Sequence, residues 1–168
     1  MPADAILDAT RHQAWPAPAD GAMLWNAARL GDTPPERWFD PESYGDMASP
    51  VAAGGRQAAW MVAGQGWQGV LRGYRRGGLV ARISRESYAW RSEDGTRSFR
   101  EYRLLAALHA QGLRVPMPLA AGYWRRGWSY RAAILVERIP DVRPLALALD
   151  ASPVEVAGAI ARLHRAGV

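Results

Sequence analysis

Three short apolar runs broken by glycines precede one strong helical segment and two further apolar runs, and that order limits the folds open to the chain. The runs are Pro50-Val51-Ala52, Ala58-Ala59-Trp60-Met61-Val62 and Trp67-Gln68-Gly69-Val70-Leu71-Arg72-Gly73-Tyr74. Gly54-Gly55 divides the first from the second, and Gly64 and Gly66 divide the second from the third. Each run has strand length, and glycine at the junctions permits tight hairpin turns. A helix is predicted from Thr96 or Ser98 to Gln111. Either hydroxyl residue can cap its start, and Gly112 fits the left-handed stop. Leu119–Trp124 and Ser129–Ile139 read as two more strands around an Arg125-Arg126-Gly127 turn. The fold class is α+β, an antiparallel sheet of about five strands packed on one helix.

The flanks are less regular. Residues 1–22 are rich in Ala, Pro and Asp without a firm period and are expected to be a loose extension. Leu24–Leu30 reads as a short strand. Residues 31–50 carry four prolines around Trp38-Phe39-Asp40-Pro41, an irregular stretch anchored by aromatic side chains. This divides the chain into an extension (1–50), a sheet-and-helix unit (51–139) and a connector with a final helix (140–168). Pro140 and Pro144 flank the connector. The last helix has a capping box, with Ser152 before Pro153 and Glu155 three residues on, and Gly167 closes it after Ala166. Its apolar positions Val156, Ile160 and Leu163 form a face that needs a partner.

Composition narrows the chemistry. The chain has 168 residues, 49% of them hydrophobic, enough for a core. It has no cysteine, so disulfides and thiolate metal sites are excluded. His12, His109 and His164 lack metal-ligand spacing. All 21 basic residues are arginine, and the formal net charge is +5. Without lysine there is no G-x-x-x-x-G-K-[ST] loop. Arginine-only usage can follow from genome base composition alone. It also supplies planar forks that suit phosphate oxygens, so phosphate, anionic lipid and nucleic acid are the candidate partners. No apolar run approaches the roughly 20 residues of a membrane-spanning helix. Met1-Pro2-Ala3-Asp4 carries no basic region ahead of an apolar stretch, so the expected address is the cytoplasm, with a membrane surface still open.

Glu101 carries the most information. On a helix it shares a face with Leu104, Leu105 and Leu108, which places a carboxylate on the apolar side. A lone buried carboxylate is costly and calls for a partner. Arg72 is the candidate, on a strand where Val70, Arg72 and Tyr74 share one face. In kinases a basic strand residue reaches the nucleotide phosphates and a helix glutamate holds it. The alternative keeps Glu101 snorkelling to water and Arg72 on a solvated strand face.

Several segments resemble one family. They are Trp38-Phe39-Asp40-Pro41, Gly54-Gly55-Arg56 with Trp60, Val70-Leu71-Arg72-Gly73-Tyr74-Arg75-Arg76-Gly77-Gly78-Leu79 and Phe99-Arg100-Glu101-Tyr102-Arg103-Leu104-Leu105. Val115-Pro116-Met117-Pro118-Leu119-Ala120-Ala121 and Leu135-Val136-Glu137-Arg138-Ile139-Pro140 continue them. Over roughly residues 35–168 the chain resembles the 3-deoxy-D-manno-octulosonic acid (Kdo) kinases of the lipopolysaccharide kinase group, which are similar in fold to protein kinases.

The resemblance implies a kinase-like N-lobe, a hinge and the first C-lobe helices. It implies ATP with Mg2+ as cofactors and transfer of phosphate to the 4-hydroxyl of Kdo on a lipid A precursor, at the cytoplasmic face of the inner membrane. Gly54, Gly55 and Arg56 would lie over the phosphates. Arg72 stands where kinases carry a strand lysine, and Glu101 matches the helix glutamate. Val70 would roof the adenine, and Glu137 and Ile139 would offer backbone groups to its edge. Arg for Lys departs from ordinary protein kinases. The family's H-x-D-L-N-x-x-N catalytic loop and its magnesium ligands would follow His164-Arg165-Ala166-Gly167-Val168, so a truncated, inactive product is the expectation.

Arg75, Arg76, Arg82 and Arg85 are read as a clamp for lipid A phosphates and the anionic membrane surface, or else as a solvated loop. The eight tryptophans are scattered, which favours core and interface anchoring over stacking on nucleic acid. Two other functions stay open, a non-catalytic basic module for membrane or nucleic acid and a non-functional fragment.

Overall fold

The computed structural model describes residues 5–32, 37–51, 59–74, 87–142, 148, 150 and 152–168. Its centre is an antiparallel sheet. Strands β3 (Ala48–Pro50), β4 (Ala59–Gly64) and β5 (Trp67–Gly73) follow the three glycine-separated runs, and β7 (Pro118–Arg126) and β8 (Ser129–Glu137) follow the last two. Five strands are predicted and five lie near the predicted places, but β3 shares only Pro50 with the expected run, β7 extends through Arg125 and Arg126, and β8 stops at Glu137, short of Ile139.

The sheet is wider than that. Residues 5–22 of the expected loose extension are ordered, because together with the residues up to Leu30 they form helix α1 (Ala5–Asp8), strands β1 (Thr10–Ala14) and β2 (Asp20–Asn26) and the one-turn helix α2 (Ala27–Leu30). The expected strand at Leu24–Leu30 is therefore the end of β2 followed by α2. A two-residue strand β6 (Tyr88–Ala89) pairs with β8, and the main order is β1-β2-β7-β8-β5-β4-β3. The reason lies in β2, whose residues Ala22–Asn26 are all buried. Ala22 and Leu24 enter one core and Met23 and Trp25 the other. A strand buried on both faces shows no alternation, so period-based reading passes over it.

Helix α3 (Arg97–Ala110) covers one face of the sheet. Thr96 is its N-cap by backbone conformation, but its hydroxyl bonds back to the Glu93 carbonyl at 2.8 Å and does not cap the helix. Ser98 donates to the Gly122 carbonyl at 2.9 Å and ties the helix to β7. The C-terminus closes on Gly112 (φ 74°), with Leu113 N bonded to Leu108 O and Gly112 N to His109 O. This paired closure is the Schellman arrangement, which a residue with a Cβ adopts poorly.

The buried side of α3 is Ser98, Phe99, Tyr102, Ala106 and Leu108, while Leu104 is 44% exposed. The expected apolar face through Leu104 and Leu105 is thus rotated. Phe99 and Tyr102 bury more surface than the leucines, each worth about 1.5–3 kcal/mol or more when fully covered, and they set the helix orientation. Glu101 lies at the flank of that buried stripe, towards β5.

The opposite face of the sheet is aromatic. Trp25 and Trp38 are buried against Leu71, Leu119 and Leu135, and Trp15 stacks on Trp124 at 5.1 Å. A 3-10 helix, Pro41–Met47, covers part of this face through contacts with β3 and β4. Most tryptophans anchor the core, and Trp128, at the β7–β8 turn, is 89% exposed.

Helix α4 (Pro153–Arg165) starts after Ser152, with Pro153 in its first turn. The capping box is not formed, since Ser152 makes no side-chain cap hydrogen bond. Gly167 (φ 84°) closes the helix as expected. No residue of α4 is buried, and Ile160 is 47% exposed. Among the described residues no helix is long and apolar enough to cross a membrane.

Candidate functional site

β5 is the strand that builds the site. Its central position, between β8 and β4, fixes its backbone by ladders on both edges. Leu71 points into the aromatic core, so Val70 and Arg72 face the side covered by α3, where Val70 packs with the cluster of Tyr74, Phe99 and Tyr102. Pairing Val70 with Val136 and Gly69 with Glu137 sets the end of β8 beside it.

Arg72 and Glu101 meet. The guanidinium donates from Nη2 to Glu101 Oε1, across a sequence separation of 29 residues. Their side chains are 32% and 28% exposed, so the pair lies at the border of the core and within reach of solvent. Of the two readings left open, the pairing is the one formed, and the snorkelling glutamate is set aside.

Tyr74 completes the arrangement. It follows β5, with its backbone N–H held by the Ala132 carbonyl at 2.9 Å, and its hydroxyl donates to Glu101 Oε2. Both carboxylate oxygens of Glu101 are therefore occupied. The Arg72 guanidinium carbon also lies 5.4 Å from the Tyr74 ring centroid, within cation–π range. Burial pushes the Tyr74 hydroxyl well above its ordinary range, and the hydrogen bond to Glu101 acts in the same direction. The tyrosine stays a neutral donor. Strand alternation places Tyr74 on the Arg72 face, but nothing in the sequence singled it out as a partner of Glu101.

The arrangement is suited to an anionic ligand. Among the described residues the Arg72 side chain makes one hydrogen bond, to Glu101. Its other donors keep the planar fork that matches phosphate oxygens. A guanidinium fixed by a carboxylate and a ring does not have to be ordered when ligand arrives.

The other expected site residues are placed less completely. Gly54, Gly55 and Arg56 lie outside the described residues, as do Arg75, Arg76, Arg82 and Arg85. Glu137 ends β8, and its backbone N–H donates to Met117 O at 2.8 Å. Ile139 is 41% exposed just beyond. Sequence reasoning missed a further contact here, the ion pair of Arg29 on α2 with the Glu137 carboxylate.

Magnesium in kinases sits on carboxylate or amide oxygens together with the phosphates. Among the described residues no group of three His, Cys, Asp or Glu side chains could hold a metal ion. Glu101 has both oxygens engaged. These residues do not fit a magnesium site, and no step is routed through one.

A sheet in which an interior strand carries a basic residue, paired to a carboxylate on the helix across it, defines the class: the chain is a protein-kinase-like N-lobe. The family model of lipopolysaccharide kinases (Kdo/WaaP) matches residues 45–168, and the chain belongs to that family. It is 48% identical over 153 residues to proteins named 3-deoxy-D-manno-octulosonic acid kinase from Stenotrophomonas maltophilia (strain R551-3) and Xanthomonas axonopodis pv. citri (strain 306). A relative of the same name from Xanthomonas oryzae pv. oryzae (strain PXO99A) is 47% identical. Each alignment takes in 88% of this chain and 61% of the relative, so the chain spans under two thirds of their length. No solved structure matches the chain.

Proposed function

We propose that the chain is the nucleotide-holding lobe of an ATP-dependent kinase for the Kdo residue of a lipid A precursor, acting at its 4-hydroxyl. The observation that carries this reading is the Arg72–Glu101 ion pair in a lobe of the family. Arg72 would hold the phosphates of ATP, with Glu101 and Tyr74 fixing its fork. Gly54, Gly55 and Arg56 would cover the phosphates. Val70 would lie over the adenine, and the backbone of Glu137 and Ile139 would meet its edge. Phosphoryl transfer is catalysed mainly by positioning and charge stabilisation, which is what a fixed guanidinium supplies.

Transfer also needs a base for the sugar hydroxyl and oxygen ligands for magnesium. No histidine of the 168 residues is followed two positions later by aspartate, so an H-x-D loop is not in this sequence. The chain by itself is therefore expected to bind ATP without transferring phosphate. The test is two assays on one preparation, titration with a fluorescent ATP analogue and incubation with γ-labelled ATP and Kdo-lipid A precursor. Analogue binding with unlabelled lipid supports the reading. Label in the lipid contradicts the inactive lobe, and absence of binding contradicts the nucleotide site.

The acceptor would be met at the cytoplasmic face of the inner membrane, with Arg75, Arg76, Arg82 and Arg85 on lipid phosphates. Exposed Trp128 beside Arg126 favours contact with such a surface, since tryptophan partitions to membrane interfaces. Flotation with anionic liposomes checks this. Changing the four arginines to glutamine should reduce binding, and equal flotation would reject the clamp.

A further inference from the structure

The N-terminal segment, which the sequence left without a role, reaches the adenine end of the site. β2 runs along β7, α2 turns the chain after Asn26, and Arg29 in α2 forms an ion pair with Glu137, 108 residues away. α2 is itself fixed, with Trp25 Nε1 donating to Gly31 O at 2.9 Å and Gly31 N to Ala27 O at 2.8 Å.

Glu137 is held at both its side chain and its backbone N–H. Ala133 and Leu135 belong to the aromatic core and Ile134 and Val136 to the α3 core, so alternation along β8 sends the Glu137 side chain to the aromatic side, where Arg29 lies. Its backbone N–H goes to Met117 O at 2.8 Å. The following residue is held by β5, with Arg138 N to Gln68 O at 2.9 Å and its guanidinium to Gln68 Oε1 at 3.2 Å. The backbone bonds are those of any sheet end. The Arg29 contact comes from a segment two strands away in the sheet order.

We propose that Arg29 is a positioning residue for the nucleotide site, holding the Glu137 carboxylate and thereby the backbone of Glu137, Arg138 and Ile139 where the adenine edge is read. The proposal rests on the nucleotide-site reading above. An ion pair with side chains 36% and 28% exposed contributes little to folding, so its effect should appear in ligand affinity and local backbone order.

The experiment compares the 168-residue chain with Arg29→Ala, Glu137→Gln and the charge swap Arg29→Glu with Glu137→Arg. Two readouts are taken, the Kd of a fluorescent ATP analogue and hydrogen exchange of the peptide spanning 136–139. Both single variants should weaken binding about two- to fivefold. They should also speed exchange at the Glu137 and Arg138 amides, with Tm shifted by no more than about 2 °C. The swap should recover both readouts. Unchanged affinity and exchange in Arg29→Ala, or a swap that recovers neither, would overturn the proposal. If the wild-type chain binds no analogue, the nucleotide reading falls by itself. Exchange then decides: faster hinge exchange restored by the swap supports the brace, and unchanged exchange overturns it.

Discussion

Arg72 and Glu101 approach from two different elements, β5 and α3, and the carboxylate that holds the guanidinium is held in turn by Tyr74. The strand fixes where the cation starts, and the helix fixes where its fork points.

Replacing Glu101 by Gln removes the charge but keeps the shape. Arg72 then loses its ionic partner and its preferred orientation. Because both side chains are about a third exposed, the stability cost should stay near 1 kcal/mol. ATP-analogue affinity should fall about tenfold, or about 1.4 kcal/mol. A titration and a thermal melt on the same variant separate the two effects.

Tyr74→Phe removes one donor to a carboxylate oxygen and leaves the ring under Arg72. Hydrogen bonds to charged groups are worth ~1.5–3 kcal/mol, and partial solvation of Glu101 places this one at the lower end. For a chain of this size Tm should drop by about 3–6 °C. Combined with Glu101→Gln, the loss in affinity should be less than the sum of the single losses, because both act on one carboxylate. A double-mutant cycle reads that coupling.

Buried tyrosines set the alkaline limit. Burial pushes the Tyr102 hydroxyl up to about 12, against an opposing effect of its hydrogen bond with Thr10. The folded chain keeps that proton at a pH where the unfolded chain, titrating near 10, releases it, so the native state binds more protons. Stability is then full below about pH 10 and is lost as pH rises through about 12, at up to ~1.4 kcal/mol per unit. Tyr74 and Tyr123, both raised chiefly by burial, act with the same sign. Urea midpoints between pH 8 and 11.5 should fall, and Tyr102→Phe should flatten the slope.

Gly21 tests whether the N-terminal strands belong to the sheet. Its φ is 141°, and a Cβ there would lie 2.2 Å from the Tyr123 carbonyl oxygen. That neighbour is backbone of β7 and can yield only by moving the strand. Gly21→Ala should cost about 1–3 kcal/mol or more through forced backbone displacement. An unchanged melting temperature would mean that β2 does not pack on β7 as described.

The sequence made the central architecture legible because its signals were local. The Gly64–Gly66 hairpin, the Gly112 stop and the glycine turn between β7 and β8 each depend on a few neighbouring residues, although that turn is Gly127-Trp128 and Arg125 and Arg126 belong to β7. The Arg72–Glu101 pair was legible too, since a carboxylate near an apolar stripe calls for a cation. β2 was hidden because it is buried on both faces and shows no alternation. The face of α3 was misjudged by about one position, because the packing of Phe99 and Tyr102 on the sheet, not leucine periodicity, decides its rotation. The contacts of Tyr74 with Glu101 and of Arg29 with Glu137 are tertiary and leave no local trace.

The most direct test of the nucleotide site is the affinity of the 168-residue chain for an ATP analogue, measured beside Arg72→Ala. The account predicts saturable binding by the wild type and at least about tenfold weaker binding by the variant, since a phosphate-directed, charge-assisted contact of ~1.5–3 kcal/mol is lost. Equal affinity of the two proteins would contradict it.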